Sequence, residues 1–230
     1  MSSLRPLIIA HRGASAAHRE NTVAAFSAAG PLGADAIELD ARRTADGAVV
    51  VHHDDTLADG RVLVDVASAD LPPHVPTLAQ ALDACGELVV NIEVKNWPDD
   101  ADFDVSETVA ETVVDEVARR DWAQRVIVSS FHRPTIDRVR ALAPDVPTAL
   151  LHIRVDGATA LAEAAQHGHG LLHPWHGWVT EELVAAAHAQ GIGVNTWTVD
   201  DPDDMRRLSA WGVDGIVTNV PDVALEALSG

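Results

Sequence analysis

The sequence predicts a (β/α)8 TIM barrel with an extra β-hairpin strand and a short insertion at its C-terminal mouth. Three observations carry that expectation. Apolar strand-like runs alternate with Ala-rich amphipathic segments along the chain, the order that builds a parallel sheet. The alternation repeats about eight times. The chain has 230 residues, a usual length for one such barrel and enough to bury a large core. One domain is therefore expected over residues 1–230, with the insertion at about residues 54–76.

The strand candidates are Leu7–His11, Ala36–Arg42, Val49–His53, Leu88–Lys95, Arg125–Ser130, Thr148–Ile153, Gly170–Pro174, Gly193–Thr198 and Gly215–Thr218. Helical segments between them include "NTVAAFSAAG", "TLAQALDAC", "DVSETVAETVVDEVARR", "RPTIDRVRALA", "ATALAEAAQHG", "TEELVAAAHAQG" and "DPDDMRRLSAWG". Several open on Thr, Asp or Asn, whose side chains cap free N–H groups, and several close at Gly. The ninth strand has a local cause. In "LDARRTADGAVVVHHD", Asp46-Gly47 is a hairpin signal between two extended runs, so the second run folds back antiparallel. A turn centred there sets Asp40 opposite His53, or one residue away where a bulge intervenes, with both at one end of the barrel. The stretch "DDTLADGRVLVDVASADLPPHVP" has weak patterning and several breakers, and is expected to cross the barrel mouth.

Composition narrows the function. The chain is 47% hydrophobic and 22% charged, which is globular rather than disordered. Its formal net charge of −19 repels nucleic acid and anionic membranes over most of the surface. It does not forbid an anionic substrate, because a local cationic cluster or a metal reverses the potential within one cleft. No nucleic-acid partner and no stable membrane association are expected. The single cysteine, Cys85, permits no intrachain disulfide and suits a reducing compartment, where it reads as a small buried hydrophobe. "MSSLRPLIIAHRG" lacks the apolar core of a signal peptide, and no run approaches the roughly 20 residues that span a bilayer. A cytoplasmic location follows as an expectation. Oligomeric state is not legible.

In such a barrel the reactive groups sit at the C-terminal strand ends. The first strand delivers His11-Arg12 there. In "IELDAR", Glu38 and Asp40 are two apart and share a face. "VVVHHDD" ends the hairpin return with His52 and His53 on opposite faces. "VVNIEVK" sets Asn91, Glu93 and Lys95 on one face. Glu38, Asp40 and Glu93 should thus converge in one mouth, where three carboxylates repel unless a cation joins them. All-oxygen ligation suits one divalent ion, Mg²⁺ or Ca²⁺, with Mn²⁺ also suitable, rather than zinc. Arg12 and Lys95 add fixed positive charge, and His11 and His53 both give and take protons near neutral pH. The set fits a phosphate ester. Taken singly, each acid is more often a loop cap or ion-pair partner, and Lys95 could simply pair with Glu93. The conjunction from four strands sets these readings aside.

The motifs "IIAHRGAS", "ENTVAAF", "GADAIELDAR", "DGAVVVHHDDTL", "PTLAQAL", "NIEVK", "VIVSSF", "TWTVD" and "GVDGIVTN" follow in the order of the glycerophosphodiester phosphodiesterase family. The resemblance runs from His11 to Pro221. It implies a (β/α)8 barrel that hydrolyses glycerophosphodiesters to sn-glycerol 3-phosphate and an alcohol with a divalent metal. It also implies that His11 and His53 form the acid/base pair and that Arg12 and Lys95 contact phosphate. Glu38, Asp40 and Glu93 would hold the metal, and Trp197 would form an apolar wall against substrate. Glu20 resembles an acidic position before the first helix, with a supporting role of orienting Arg12 or a metal-bound water. Asn21 or Thr22 would cap that helix.

Three departures stand out. Arg19 replaces the family's usual Pro, "HDDTLADGRVL" is altered and followed by a short insertion, and Asp200 stands where "WTVN" is common. Asp200 is expected to add negative charge near the rim. A second cluster, "HGHGLLHPWHGWVTEEL", carries His167, His169, His173, His176, Trp175 and Trp178. No Cys or acid completes a metal set there, so it reads as mouth lining, with His173 and Trp175 nearest substrate. Two rivals remain: a related lipid phosphodiesterase of phospholipase D type, and a catalytically silent barrel that binds a phosphate ligand.

Overall fold

The apolar run "LIIAH" and the run "AIELDARR", in which apolar and charged residues alternate, each form a strand. The computed structural model describes residues 5–153 and 155–229. Its strands are β1 (Leu7–His11), β2 (Ala36–Arg43), β3 (Val49–Val51), β4 (Val89–Val94), β5 (Val126–Ser130), β6 (Thr148–His152), β7 (Leu171–Pro174), β8 (Gly193–Thr196) and β9 (Gly215–Thr218). The helices are α1 (Val23–Ala29), α2 (Leu78–Ala84), α3 (Thr108–Arg120), α4 (Arg133–Leu142), α5 (Gly157–His167), α6 (Glu181–His188), α7 (Pro202–Ala210) and α8 (Pro221–Leu228). Capping follows the expected chemistry: Thr22, Thr77, Asp156, Thr180 and Asp201 each accept a backbone N–H of the helix they open. The helix opened by Asp104 begins later than the pattern implies. The Asp104 carboxylate accepts N–H groups of Ser106 and Thr108, holding that stretch as a turn before Thr108.

Eight strands close a parallel ring in the order β1, β9, β8, β7, β6, β5, β4, β2, with β2 pairing back to β1. The helices cover its outer face. Ile37, Leu39, Val90 and Ile92 point outward into one cluster with Phe26, Leu78 and Val113. Ile8, Leu172, Val194 and Ile216 point into another with Ile136, Leu183 and Met205. Inside the ring, Ile9, Ala36 and Val217 fill the floor with Val89 and Trp197 packed against them. The mouth above that floor is therefore free to be polar.

β3 lies outside the ring, antiparallel to β2, on the edge β1 uses further down. The hairpin register differs by one residue from the expected one. Ala41 pairs with Val51, and the His52 N–H reaches the Asp40 carbonyl, so Asp40 stands opposite His52 rather than His53. The cause is the loop. Thr44 N–H bonds the Ala48 carbonyl and Gly47 N–H bonds the Thr44 carbonyl, leaving three loop residues with Gly47 at φ +79°. Both His remain at the mouth. The insertion folds as two 3-10 turns, Leu63–Asp65 and Ser68–Asp70, whose Leu57, Leu63 and Val66 pack on Val50 of β3.

Candidate active site

Alternation along β2 and β4 turns Glu38, Asp40 and Glu93 to the barrel interior. The register sets Asp40 beside Glu93 and Glu38 beside Asn91. One oxygen from each of the three carboxylates lies within 4.8 Å of the other two, and all three residues are buried. Cations and amides answer part of this charge. Arg12 Nε is 3.3 Å from Asp40 Oδ2. Lys95 Nζ is 2.8 Å from Glu93 Oε1 and 3.7 Å from Asp40 Oδ1. Asn21 Nδ2 donates to Asp40 Oδ2 at 2.7 Å.

The three acids are not equivalent. Burial, then Asp40 and Glu93, push the Glu38 carboxyl well above its usual range, and Arg12 only partly opposes them. Burial acts on Asp40 in the same sense, but Lys95, Arg12, His53 and the Asn21 amide outweigh it and hold Asp40 at about 2. Burial works against the charge of Lys95 too, and Glu93 and Asp40 more than restore it. Glu38 Oε2 accepts the Arg12 N–H at 2.9 Å, while buried Oε1 has no hydrogen-bond partner among the described residues. Three converging carboxylates, one of which keeps a buried oxygen without a partner among the described residues, fit an oxygen-ligated divalent cation.

His11 and His53 reach the same space. His11 ends β1, with Nδ1 2.7 Å from Asn219 Oδ1; burial, then Arg12, lower its pKa. His53 follows β3, with Nδ1 2.7 Å from Asp54 Oδ1. Both line a cavity of about 110 Å³ with Arg12, Glu38, Glu93 and Lys95. A wider cavity of about 500 Å³ adjoins it, sharing His53, Glu93, Lys95, Phe131 and Trp197. His52 faces away, bonding the Asp54 carbonyl.

A strained turn presents Arg12. Its φ of +58° precedes Gly13 at +80°, where a Cβ would sit 2.6 Å from the Ala25 backbone carbon. That packing fixes the turn on α1 and aims the Arg12 N–H at Glu38. Half-exposed Glu20 holds Arg12 Nη1 through both oxygens, at 3.0 and 2.9 Å. Thr22 caps α1, which leaves Asn21, at φ +54°, to reach Asp40 instead.

Of the aromatic candidates, Trp197 lines both cavities and donates its Nε1–H to the His173 carbonyl. His173 lies on the smaller cavity, bonded to Asn195 Nδ2, and burial lowers its pKa to about 3. Trp175 lines neither cavity. The chain turns into a 3-10 turn at His176–Trp178, and the Trp175 ring lies across Gly177. Of the other His in that cluster, His167 ends α5, and buried His169 bonds Thr148 at the start of β6. Residues not singled out from sequence also stand here. Phe131 packs edge-on between Trp97 and Trp197, Asn219 bonds His11, and the carbonyl oxygen of the Asn91 side chain is buried without a partner among the described residues. Only Asn91 carried a signal, its shared strand face with Glu93.

Among the described residues no helix is long and apolar enough to cross a membrane. The family model of the glycerophosphoryl diester phosphodiesterases matches residues 11–223. A glycerophosphodiester phosphodiesterase of Caldanaerobacter subterraneus subsp. tengcongensis is 32% identical over 96% of this chain and 97% of its own. A crystal structure from Silicibacter pomeroyi superposes with a TM-score of 0.90 at 29% identity, covering 100% of this chain and 94% of that one. An Oleispira antarctica phosphodiesterase in complex with its product sn-glycerol-3-phosphate shares the fold, with a TM-score of 0.88 at 23% identity over 98% of both chains. With its barrel and nearly its whole length matched, the chain belongs to the glycerophosphoryl diester phosphodiesterase family.

Proposed function

We propose that this phosphodiesterase cleaves glycerophosphodiesters to sn-glycerol 3-phosphate and an alcohol, with one divalent cation and two histidines. The observation that carries the reading is the convergence of Glu38, Asp40 and Glu93 within 4.8 Å, beside a cavity that Glu38 and Glu93 line together with His11, His53, Arg12 and Lys95. Glu38, Asp40 and Glu93 would hold the ion, which supplies Lewis-acid polarisation of a phosphoryl oxygen. The Arg12 guanidinium and the Lys95 ammonium, both on the cavity, neutralise the other phosphoryl oxygens. Glu20 keeps Arg12 extended towards them. One imidazole takes a proton from the nucleophile, water or the substrate's own 2-hydroxyl, and the other protonates the departing alcohol oxygen. Trp197 and His173 form the wall of the phosphoryl cavity, and the wider cavity receives the alcohol. A cytoplasmic setting belongs to the same proposal and rests on the single cysteine.

The test is release of sn-glycerol 3-phosphate from glycerophosphocholine and glycerophosphoethanolamine. The protein is stripped of metal, then given Mg²⁺, Ca²⁺ or Mn²⁺. Release should return with the ion and be lost in His11→Ala and His53→Ala. Unchanged turnover in either variant refutes the acid/base pair. Binding without turnover favours a silent barrel, and cleavage confined to lipid vesicles favours a lipid phosphodiesterase.

A further inference from the structure

We infer that Asp200 and Asn219 are positioning residues that set the ring tautomer of His11. The inference rests on the reading of His11 as a proton-transfer group. Asp200 Oδ2 meets Asn219 Nδ2 at 2.7 Å, and Asp200 Oδ1 accepts the Asn219 N–H at 2.8 Å and the Thr218 hydroxyl at 2.9 Å. A carboxylate only accepts, so the Asn219 amide must turn its NH₂ to Asp200 and its oxygen away. That oxygen meets His11 Nδ1 at 2.7 Å and the Ser15 hydroxyl at 2.8 Å. A carbonyl oxygen only accepts, so His11 must carry hydrogen on Nδ1. In the neutral ring the lone pair is then left on Nε2, the nitrogen not engaged by Asn219. Asp200 is exposed, yet its influence passes through one half-buried amide to the ring. It is thus not a bare rim charge, as its place in "WTVD" implied.

The inference separates from a loop-bracing role by substitution. In Asp200→Asn, the new side chain keeps one oxygen for the Asn219 N–H and the Thr218 hydroxyl, so the loop remains braced. Its NH₂ then confronts the NH₂ of Asn219. The Asn219 amide is driven to flip and present its NH₂ to His11 Nδ1, which must become the acceptor. The reciprocal double variant, Asp200→Asn with Asn219→Asp, restores the pattern. The amide introduced at 200 donates to the carboxylate introduced at 219, which accepts from His11 Nδ1 and Ser15.

Two readouts are needed on the Mg²⁺-loaded protein. Long-range ¹H–¹⁵N correlations report the His11 tautomer, and steady-state kinetics on glycerophosphocholine separate kcat from KM. We expect Nδ1–H in the wild type and Nε2–H in Asp200→Asn. We expect kcat to fall by roughly 100-fold in that variant, the scale of one lost proton-transfer group, with KM little changed. The double variant should recover Nδ1–H and most of kcat. Nδ1–H retained in Asp200→Asn, or a double variant as slow as the single one, overturns the inference. Failure of the underlying reading looks different: His11→Ala keeps turnover, while the spectra still decide the tautomer.

Discussion

Glu38→Gln tests what the carboxylate cluster is for. Glu38 is the acid whose charge the surroundings disfavour, through burial and two neighbouring carboxylates. Without a cation its surroundings therefore favour the neutral carboxyl, and Gln is close to an isostere of that form. The variant should match the cation-free wild type in stability to within about 1 kcal/mol. With a cation the balance reverses. With carboxylate oxygens within 4.8 Å of one another and an effective dielectric of about 20, each ionised pair repels by roughly 3 kcal/mol or more, a cost that a divalent cation offsets. Losing one carboxylate should weaken the ion by at least ~100-fold. At an ion concentration of about 100 times the wild-type Kd, binding stabilises the native state by about 2.7 kcal/mol, or roughly 5–11 °C in Tm for a chain of this size. The same concentration should stabilise Glu38→Gln by only about 0.4 kcal/mol, roughly 1–2 °C. The assay is thermal unfolding followed by circular dichroism after chelation, with Mg²⁺, Ca²⁺ or Mn²⁺ titrated back. Calorimetry in buffers of different ionisation enthalpy should show more proton release per ion by the wild type than by the variant. A variant that keeps the wild-type cation shift refutes the argument. So does a cation-free variant that loses about 3 kcal/mol, because Glu38 would then be a needed charge.

Two further predictions use other parts of the fold. Gly13→Ala should cost about 2–4 kcal/mol in urea unfolding and also impair turnover, because a Cβ at φ +80° meets the Ala25 backbone at 2.6 Å and the turn carries Arg12; a loss below about 1 kcal/mol would show that the turn relaxes freely. Burial raises the Cys85 thiol from 9.0 to about 12, with Arg125 opposing weakly. The unfolded chain then releases this proton first as pH rises through 9, so the native state should lose up to about 1.4 kcal/mol per pH unit between pH 9 and 12 from this group. Urea midpoints should fall less steeply in that window for Cys85→Ala, and equal slopes would refute the assignment.

What was legible from sequence was what strand geometry makes obligatory. Side chains alternate along a strand, so "IELDAR" and "NIEVK" leave no choice but to send Glu38, Asp40 and Glu93 to one face, and parallel closure brings those faces together. The first illegible feature was the hairpin register. One loop residue more or fewer shifts every pair, and the choice hung on the Thr44 and Gly47 backbone bonds. Trp175 shows the limit of alternation. It stands two residues after inward-facing His173, but β7 ends at Pro174 and the chain turns away. Asn21 and Asn219 were hidden for a different reason. An Asn before a helix reads as a cap and an Asn after a strand reads as a turn residue, and both roles are local. What makes them matter here is distant: Asn21 spans 19 residues to Asp40, and Asn219 spans 208 residues to His11. Neutral amides in loops carry no charge pattern to betray such partners. Yet an amide has one donor end and one acceptor end, so it can transmit an orientation that a carboxylate, accepting on both sides, cannot. That property lets Asn21 clasp Asp40 by both its side chain and its N–H, and lets Asn219 stand between Asp200 and His11. Asn21 braces the acid that the cations hold ionised, and Asn219 carries the direction of Asp200 to the His11 ring.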